Sequence, residues 1–278
     1  MSRGKVWLVG AGPGATDLLT VRALRLLQQA DIVFHDALVD PEIVAFAGQA
    51  ERVAVGKRCG RHSTAQRFIN KRLVDAAAVH RTILRLKGGD PMMFGRAQEE
   101  IDALVEAGVE VEVVPGVTAA LAASADALRS LTARGVSRSV TFVTPRVGVG
   151  EDRSDWLHAA AAADTAVISM ASHEAAAIGD ALIGAGRPAS TPVTLVEDAS
   201  LASRQVLPST LATLGTTARR LRGGPALIVV GDNFGTVAAR ARARADTARS
   251  DVRDAAAAAA TLAAATAAPP HRRAWGRP

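Results

Sequence analysis

Short apolar runs of strand length alternate with longer stretches of helical spacing along most of this chain. Val6-Trp7-Leu8-Val9 reads as a buried strand, and Gly10-Ala11-Gly12-Pro13-Gly14 must be a loop because glycine and proline dominate it. Leu18, Leu19, Val21, Leu24, Leu26 and Leu27 recur at helical spacing, with Thr16 or Asp17 as the cap. Ile32-Val33-Phe34 predicts a second strand ending at His35-Asp36, with a short helix after Pro41. Arg52-Val53-Ala54-Val55 predicts a third, ending at Gly56-Lys57-Arg58, before a helix that Ser63-Thr64-Ala65-Gln66 opens and that runs to about Ala78. A fourth apolar run begins at Ile83 and stops at Gly88-Gly89. The segment Ala97 to Ala107 is helical, Gly108 ends it, and Val111-Glu112-Val113-Val114 is the fifth strand, closed by Pro115-Gly116-Val117-Thr118. Strands alternating with helices in this way predict a parallel or mainly parallel α/β sheet.

The alanine-rich helix from Ala119 to Ala127 reads as a link to a second series. That series holds apolar runs at 139–144, 165–170, 192–196 and 226–231, with a further strand at Gln205-Val206-Leu207 and a helix start at Thr210-Leu211. The pattern predicts an N-terminal α/β domain over 1–117 and a C-terminal α/β domain over 118–235, each a mainly parallel or mixed sheet flanked by helices. Residues 236–278 alternate alanine with arginine and then become almost pure alanine, which reads as a solvated extension with no apolar stripe to bury.

Charge alters this picture little. Of the net +6, residues 236–278 carry +5, as eight arginines against three aspartates, so the body is nearly neutral and a nucleic-acid-binding role is not expected. The single cysteine, Cys59, excludes an internal disulfide and a thiolate metal cluster from this chain alone, and no metal site is expected. Met1 to Lys5 run straight into the first strand, and no apolar run approaches the ~18 residues of a membrane span. A cytoplasmic protein without membrane contact is the expectation.

Candidate chemistry gathers where strands end. In Arg85-Leu86-Lys87-Gly88-Gly89-Asp90-Pro91 two glycines let a ligand approach the main chain, Asp90 supplies a carboxylate and Pro91 fixes the turn, at the strand end where α/β sheets collect ligands. The same residues also suit a tight strand-to-helix turn with no ligand. Gly10 to Ala15 superficially matches the dinucleotide fingerprint and so admits a nicotinamide-dependent oxidoreductase, although Pro13 lies inside the loop.

Taken in order, Val9 to Gly14, Asp36-Ala37-Leu38-Val39, Val55-Gly56-Lys57-Arg58, Arg85 to Pro91 with Phe94-Gly95-Arg96, Val114 to Ala119, Ser139 to Thr144 and Pro225 to Gly231 resemble the tetrapyrrole methylase family, over about Val6 to Gly231. The resemblance implies a two-domain methyltransferase that binds S-adenosylmethionine between its halves, works as a homodimer and needs no metal. Within the family it implies methyl transfer to C2 and C7 of uroporphyrinogen III, giving precorrin-1 and then precorrin-2 for sirohaem or cobalamin synthesis. Another precorrin methyltransferase of the same fold is the alternative. Carried over by motif, the cofactor residues are Pro13, Gly88, Gly89, Asp90, Met93, Thr118, Ala119, Met170, Ala199 and Ala226. Asp36 corresponds to a proton acceptor and Lys57 to a proton donor; a helix cap and a surface lysine are the plainer roles for the two. Because the substrate would carry eight carboxylates, Arg58, Arg61, His62, Arg96 and Arg134 are candidate substrate contacts.

Several positions depart from the family pattern. Met92-Met93 replaces Phe-Ile, Ala97-Gln98 replaces Gly-Gly, Glu197-Asp198-Ala199 replaces Glu-Asn-Gly, and Ser124 to Leu131 lacks a Gly-Ile-Pro. These changes bear on substrate selectivity and on the second methylation rather than on the proposed cofactor residues.

Overall fold

A computed structural model describes residues 3–55, 66–147 and 154–235. The first sheet contains β1 (Lys5–Gly10), β2 (Ile32–His35), β3 (Glu51–Ala54), β4 (Thr82–Lys87) and β5 (Glu110–Val114). Its order is β3-β2-β4-β1-β5 and every pairing is parallel. Parallel neighbours need crossovers, and α1 (Val21–Gln29), α2 (Pro41–Ala45), α3 (Gln66–Ala76) and α4 (Ala97–Glu106) supply them on both faces.

Strand alternation decides which face each residue serves. Val6, Leu8, Ile32, Phe34 and Ile83 pack with Ile69, Leu73 and Leu104 of α3 and α4. Val9, Val33, Leu84 and Leu86 pack with Ala23, Leu27 and Ile43 of α1 and α2. The first helix begins later than its apolar spacing suggests. Thr16–Leu18 forms a separate 3-10 turn, Leu19 and Thr20 are extended, and the Thr20 hydroxyl accepts from the Ala23 amide as the true cap. The Ser63-Thr64 helix start lies outside the described residues.

The second sheet is mixed. It holds β6 (Val140–Val143), β7 (Thr165–Ser169), β8 (Pro192–Glu197), β9 (Gln205–Thr210) and β10 (Ala226–Val230) in the order β6-β7-β10-β8-β9. Only β6 and β7 pair in parallel; β10 runs against both neighbours, and β8 and β9 form an antiparallel pair. On one face lie α6 (Trp156–Ala162), α7 (Ala175–Gly184) and α8 (Leu214–Ala218). On the other, Ala120 and Ala123 of α5 (Ala119–Asp126) pack against Val167, Val196, Leu227 and Val229. This helix is more than a link, since its small side chains let it lie flat on the second sheet. Both sheets belong to one compact unit, Met1–Phe234. The 236–278 segment lies outside the described residues. Among those residues no helix is long and apolar enough to cross a membrane.

The two sheets share a device at the entry of an inner strand. Asp31, just before β2, accepts from the Arg81 and Thr82 amides, both at 2.8 Å. Asp164, just before β7, accepts from the Arg138 and Ser139 amides at 2.8 and 2.9 Å. These backbone donors hold both carboxylates below the usual aspartate range. A group with a depressed folded pKa contributes stability above its unfolded value and loses it as pH falls through the folded one. Asp31→Asn and Asp164→Asn are therefore expected to cost about 1 kcal/mol each at pH 7, allowing for solvent exposure. Urea unfolding should show that cost shrinking below about pH 4.

Candidate functional site

The exits of β1, β4 and β5 close on one another without side chains. The Ala11 amide donates to the Lys87 carbonyl at 2.8 Å, and Gly12 and Gly89 exchange two hydrogen bonds of 3.1 and 2.7 Å. A Cβ on Gly10 would lie 2.6 Å from the Gly116 Cα, and one on Gly116 would lie 2.3 Å from the Gly89 carbonyl oxygen. Gly89 is left-handed at φ +67°. Asp90 fastens the junction: one carboxylate oxygen accepts from the Met92 amide at 2.8 Å and the other from the Gly116 amide at 2.9 Å. Thr118 and Ala119, at the start of α5, lie 3.9 Å from where a Gly89 Cβ would stand. Among the described residues, a Cβ on Gly88 would meet nothing within 4 Å, and Gly88 is exposed.

This geometry does not build a dinucleotide cradle from Gly10 to Ala15. The Ala11 and Gly12 amides are spent on β4 and its exit, and the Ala15 amide donates to the Ser200 hydroxyl at 3.0 Å. The helix that should receive a pyrophosphate starts only at Val21.

Asp36 leaves β2 beside β4 and sits on a buried ionic network. Its carboxylate, about a third exposed, accepts from Arg85 Nη2 at 2.6 Å. The Arg85 Nε donates to Glu100 at 3.0 Å, and Lys87 Nζ donates to both Glu100 oxygens at 3.0 Å. Gln66 Nε2 donates to Glu100 as well, at 3.0 Å. Arg85, Lys87 and Glu100 are buried. Burial pushes the Lys87 ammonium below its ordinary range, and neighbouring Arg85 adds to that against the pull of Glu100 and Asp36. Sequence reasoning treated 83–87 as an apolar run and missed this network. Its signal was two cations two residues apart in a buried strand, which period-2 alternation places on one face.

The second sheet brings its own candidates to one end. Ser169 pairs with Leu227, and Glu197 pairs with Ala226, so Met170, Ala226 and Ala199 all leave neighbouring strands at the same edge. Met170, Asp198 and Ser200 are left-handed there, at φ 61°, 52° and 72°. This edge meets the first sheet's loops: Ser200 receives the Ala15 amide, and a Cβ on Gly14 would strike Leu201 at 2.8 Å. Pro13 lies within that same loop. The Asp126 carboxylate, at the end of α5, accepts from the Ser200 amide at 2.7 Å and pairs with Arg204 at 3.3 Å. Asp126 falls within the 124–131 segment that departs from the family pattern, and Ser200 is a further residue that the sequence did not single out.

Met93 follows Asp90 half-buried, its amide bonded to the Asp90 carbonyl at 3.2 Å. Beyond it, Phe94 and Arg96 are left-handed, and Arg96 pairs with Glu99 at 2.6 Å on the surface. Arg134 is not brought to this cluster. It sits in the turn between Ala133 and Ser137, and Ser137 bonds Thr165, the first residue of β7, at the opposite end of that strand from Met170. Lys57, Arg58, Arg61 and His62 lie outside the described residues.

The sequence profile of the Tetrapyrrole (Corrin/Porphyrin) Methylases matches residues 5–215. The chain belongs to this family. A siroheme synthase of Yersinia pestis is 45% identical over 230 residues, covering 82% of this chain and 48% of the relative. One from Chromobacterium violaceum is 47% identical over 231 residues, covering 82% and 49%. The chain thus spans about half the length of the curated relatives it matches. Among solved structures, a uroporphyrin-III C-methyl transferase from Thermus thermophilus, complexed with S-adenyl homocysteine, superposes with a TM-score of 0.73 at 38% identity, covering 83% of this chain and 98% of that one. A cobalt precorrin-4 methyltransferase superposes with a TM-score of 0.73 at 29% identity, covering 84% and 96%. In this methylase the glycine after β4 and the glycine after β5 should respond differently to a methyl group. Gly116→Ala is expected to cost about 1–3 kcal/mol by forcing β4 and β5 apart. Gly88→Ala should leave the denaturant midpoint within about 0.5 kcal/mol of wild type, since its Cβ enters open space.

Proposed function

We propose that this chain transfers methyl groups from S-adenosylmethionine to C2 and C7 of uroporphyrinogen III, giving precorrin-1 and then precorrin-2, and that it works as a homodimer. The observation that carries the reading is the exposed Gly88 peptide at a glycine junction whose Gly12–Ala15 loop meets the second sheet at Ser200 and Leu201. The likeness to a uroporphyrin-III C-methyl transferase complexed with S-adenyl homocysteine supports it. The siroheme synthase relatives support the tetrapyrrole class.

The residues present fit such a donor. Gly88 and Gly89 offer bare backbone, and Pro13, Met93, Thr118, Ala119, Met170, Ala199 and Ala226 supply small or apolar walls. Asp90 contributes through the loop it fastens, because both its oxygens already accept backbone amides. When bound, the donor supplies an electrophilic sulfonium methyl. The protein's own task is then to align an electron-rich pyrrole carbon with it, which is chiefly positioning. Methylation at carbon leaves a proton to remove, and Asp36, oriented by its hydrogen bond from Arg85, is the acceptor. Lys57 returns a proton, and Arg58, Arg61, His62 and Arg96 answer the substrate carboxylates. Arg134 is not included among them in this reading, since its turn is joined to the start of β7, at the other end of that strand from Met170.

Mass spectrometry of tetrapyrroles formed from uroporphyrinogen III and S-adenosylmethionine should show two added methyls; a product with none sinks the reading, and methylation of a different precorrin points to the alternative. Asp36→Asn and Lys57→Ala should each lower the rate by about 10²–10⁴-fold. S-adenosylhomocysteine should raise the melting temperature whereas NADH does not, and Gly88→Ala should remove most of that rise.

A further inference from the structure

We propose that the buried Glu100–Lys87 pair is a positioning and charge-setting device for Asp36, acting through Arg85. The inference deepens the function proposed above and rests on Asp36 serving there as proton acceptor. The Arg85 guanidinium is planar and is held at three points: Nε on Glu100 at 3.0 Å, Nη1 on the Leu86 carbonyl at 3.2 Å, and Nη2 on Asp36 at 2.6 Å. Once Glu100 and Leu86 fix that plane, the direction of Nη2 is fixed, and with it the carboxylate it meets. Lys87 holds Glu100 from the other side through both oxygens. Its stem runs under Gly95, where a Cβ would come within 3.1 Å of Lys87 Cε.

The charges are as informative as the geometry. Arg85 and Lys87 carry two positive charges, and Glu100 and Asp36 two negative ones, so the cluster is neutral while Asp36 is ionised. Three members are buried, and only Asp36 reaches solvent. Among the described residues, the charged or titratable groups nearby in the fold include His35 on β2, whose Nδ1 lies 3.3 Å from the Asp36 carbonyl, Asp40 at the start of α2, and Arg72 of α3 over the Phe34 ring. Burial and Arg85 push Lys87 downward, and Glu100 and Asp36 oppose that push. Removing one buried charge therefore leaves an imbalance that the exposed carboxylate must answer. Loss of the Lys87 cation favours protonated Asp36, and loss of the Glu100 anion favours ionised Asp36. A merely structural role would move both variants the same way.

The test uses the full chain labelled with carbon-13 at aspartate carboxyls, with the Asp36 resonance assigned by its loss in Asp36→Asn. Lys87→Met should move the Asp36 titration midpoint up by about one pH unit, and Glu100→Gln should move it down by about one. The double variant Lys87→Met/Glu100→Gln should return near wild type. The acid limb of kcat for methyl transfer should follow each shift, with KM for uroporphyrinogen III changed less than about twofold. Midpoints that stay put, or that move in the same direction in both single variants, overturn the proposal. If Glu100→Gln does not fold, Lys87→Met carries the test by itself, because it leaves Arg85 between two carboxylates: an upward shift supports the proposal and an unchanged midpoint overturns it. Midpoints that shift as stated while the methylation profile does not follow uphold the charge-setting device and remove Asp36 from the proposed reaction.

Discussion

Three backbones meeting without side chains is the constraint from which the rest of the site follows. Gly10, Gly89 and Gly116 stand where any Cβ would collide with a neighbouring main chain or force a left-handed residue into strain. Their approach lets β1, β4 and β5 end in register, and Asp90 then ties β4's exit to β5's through the Gly116 amide. With that knot in place, Gly88 is left exposed among the described residues, and α5 begins beside Gly89. The same knot closes the Gly10 to Ala15 loop to a pyrophosphate, because its first amides are used internally. A glycine pattern shared with dinucleotide folds therefore serves a different purpose here: close packing of strand ends rather than donation to phosphate.

Much of the first sheet was legible from the chain. Its strands are apolar runs bounded by glycine, proline or aspartate, and alternation with amphipathic helices implied parallel pairing. The start of α1 was not legible, because Leu18 and Leu19 continue the helical spacing while the backbone at Leu19 and Thr20 is extended. Strand direction in the second half was harder still. Ala226 to Val230 is uniformly apolar, and such a strand looks the same whichever way it runs. Only the connections decide, and β10 reaches its place between β7 and β8 from the opposite end.

For the candidate site, motif likeness named positions and geometry shows which of their groups are already engaged. Gly88 and Asp90 were both expected beside a ligand, yet one is open and the other is committed to two backbone amides. Arg85 and Lys87 were hidden by their apolar neighbours Leu84 and Leu86, which serve the other face of the sheet. Arg134 was a candidate by its charge and its position in the sequence. Its location follows from the Ser137 to Thr165 bond, a pairing between residues remote in sequence that no local pattern displays.

The two walls of the site turn their corners by different means. The first sheet bends at Gly12 and Gly89, whereas the second bends at Met170, Asp198 and Ser200, which keep side chains in a conformation that costs most residues roughly 1–2 kcal/mol. Bare peptide can be altered only by adding bulk, so the glycine wall has little room for evolutionary variation. The opposite wall carries exchangeable groups at its bends, so drift in ligand preference among related chains should be written mainly on that side.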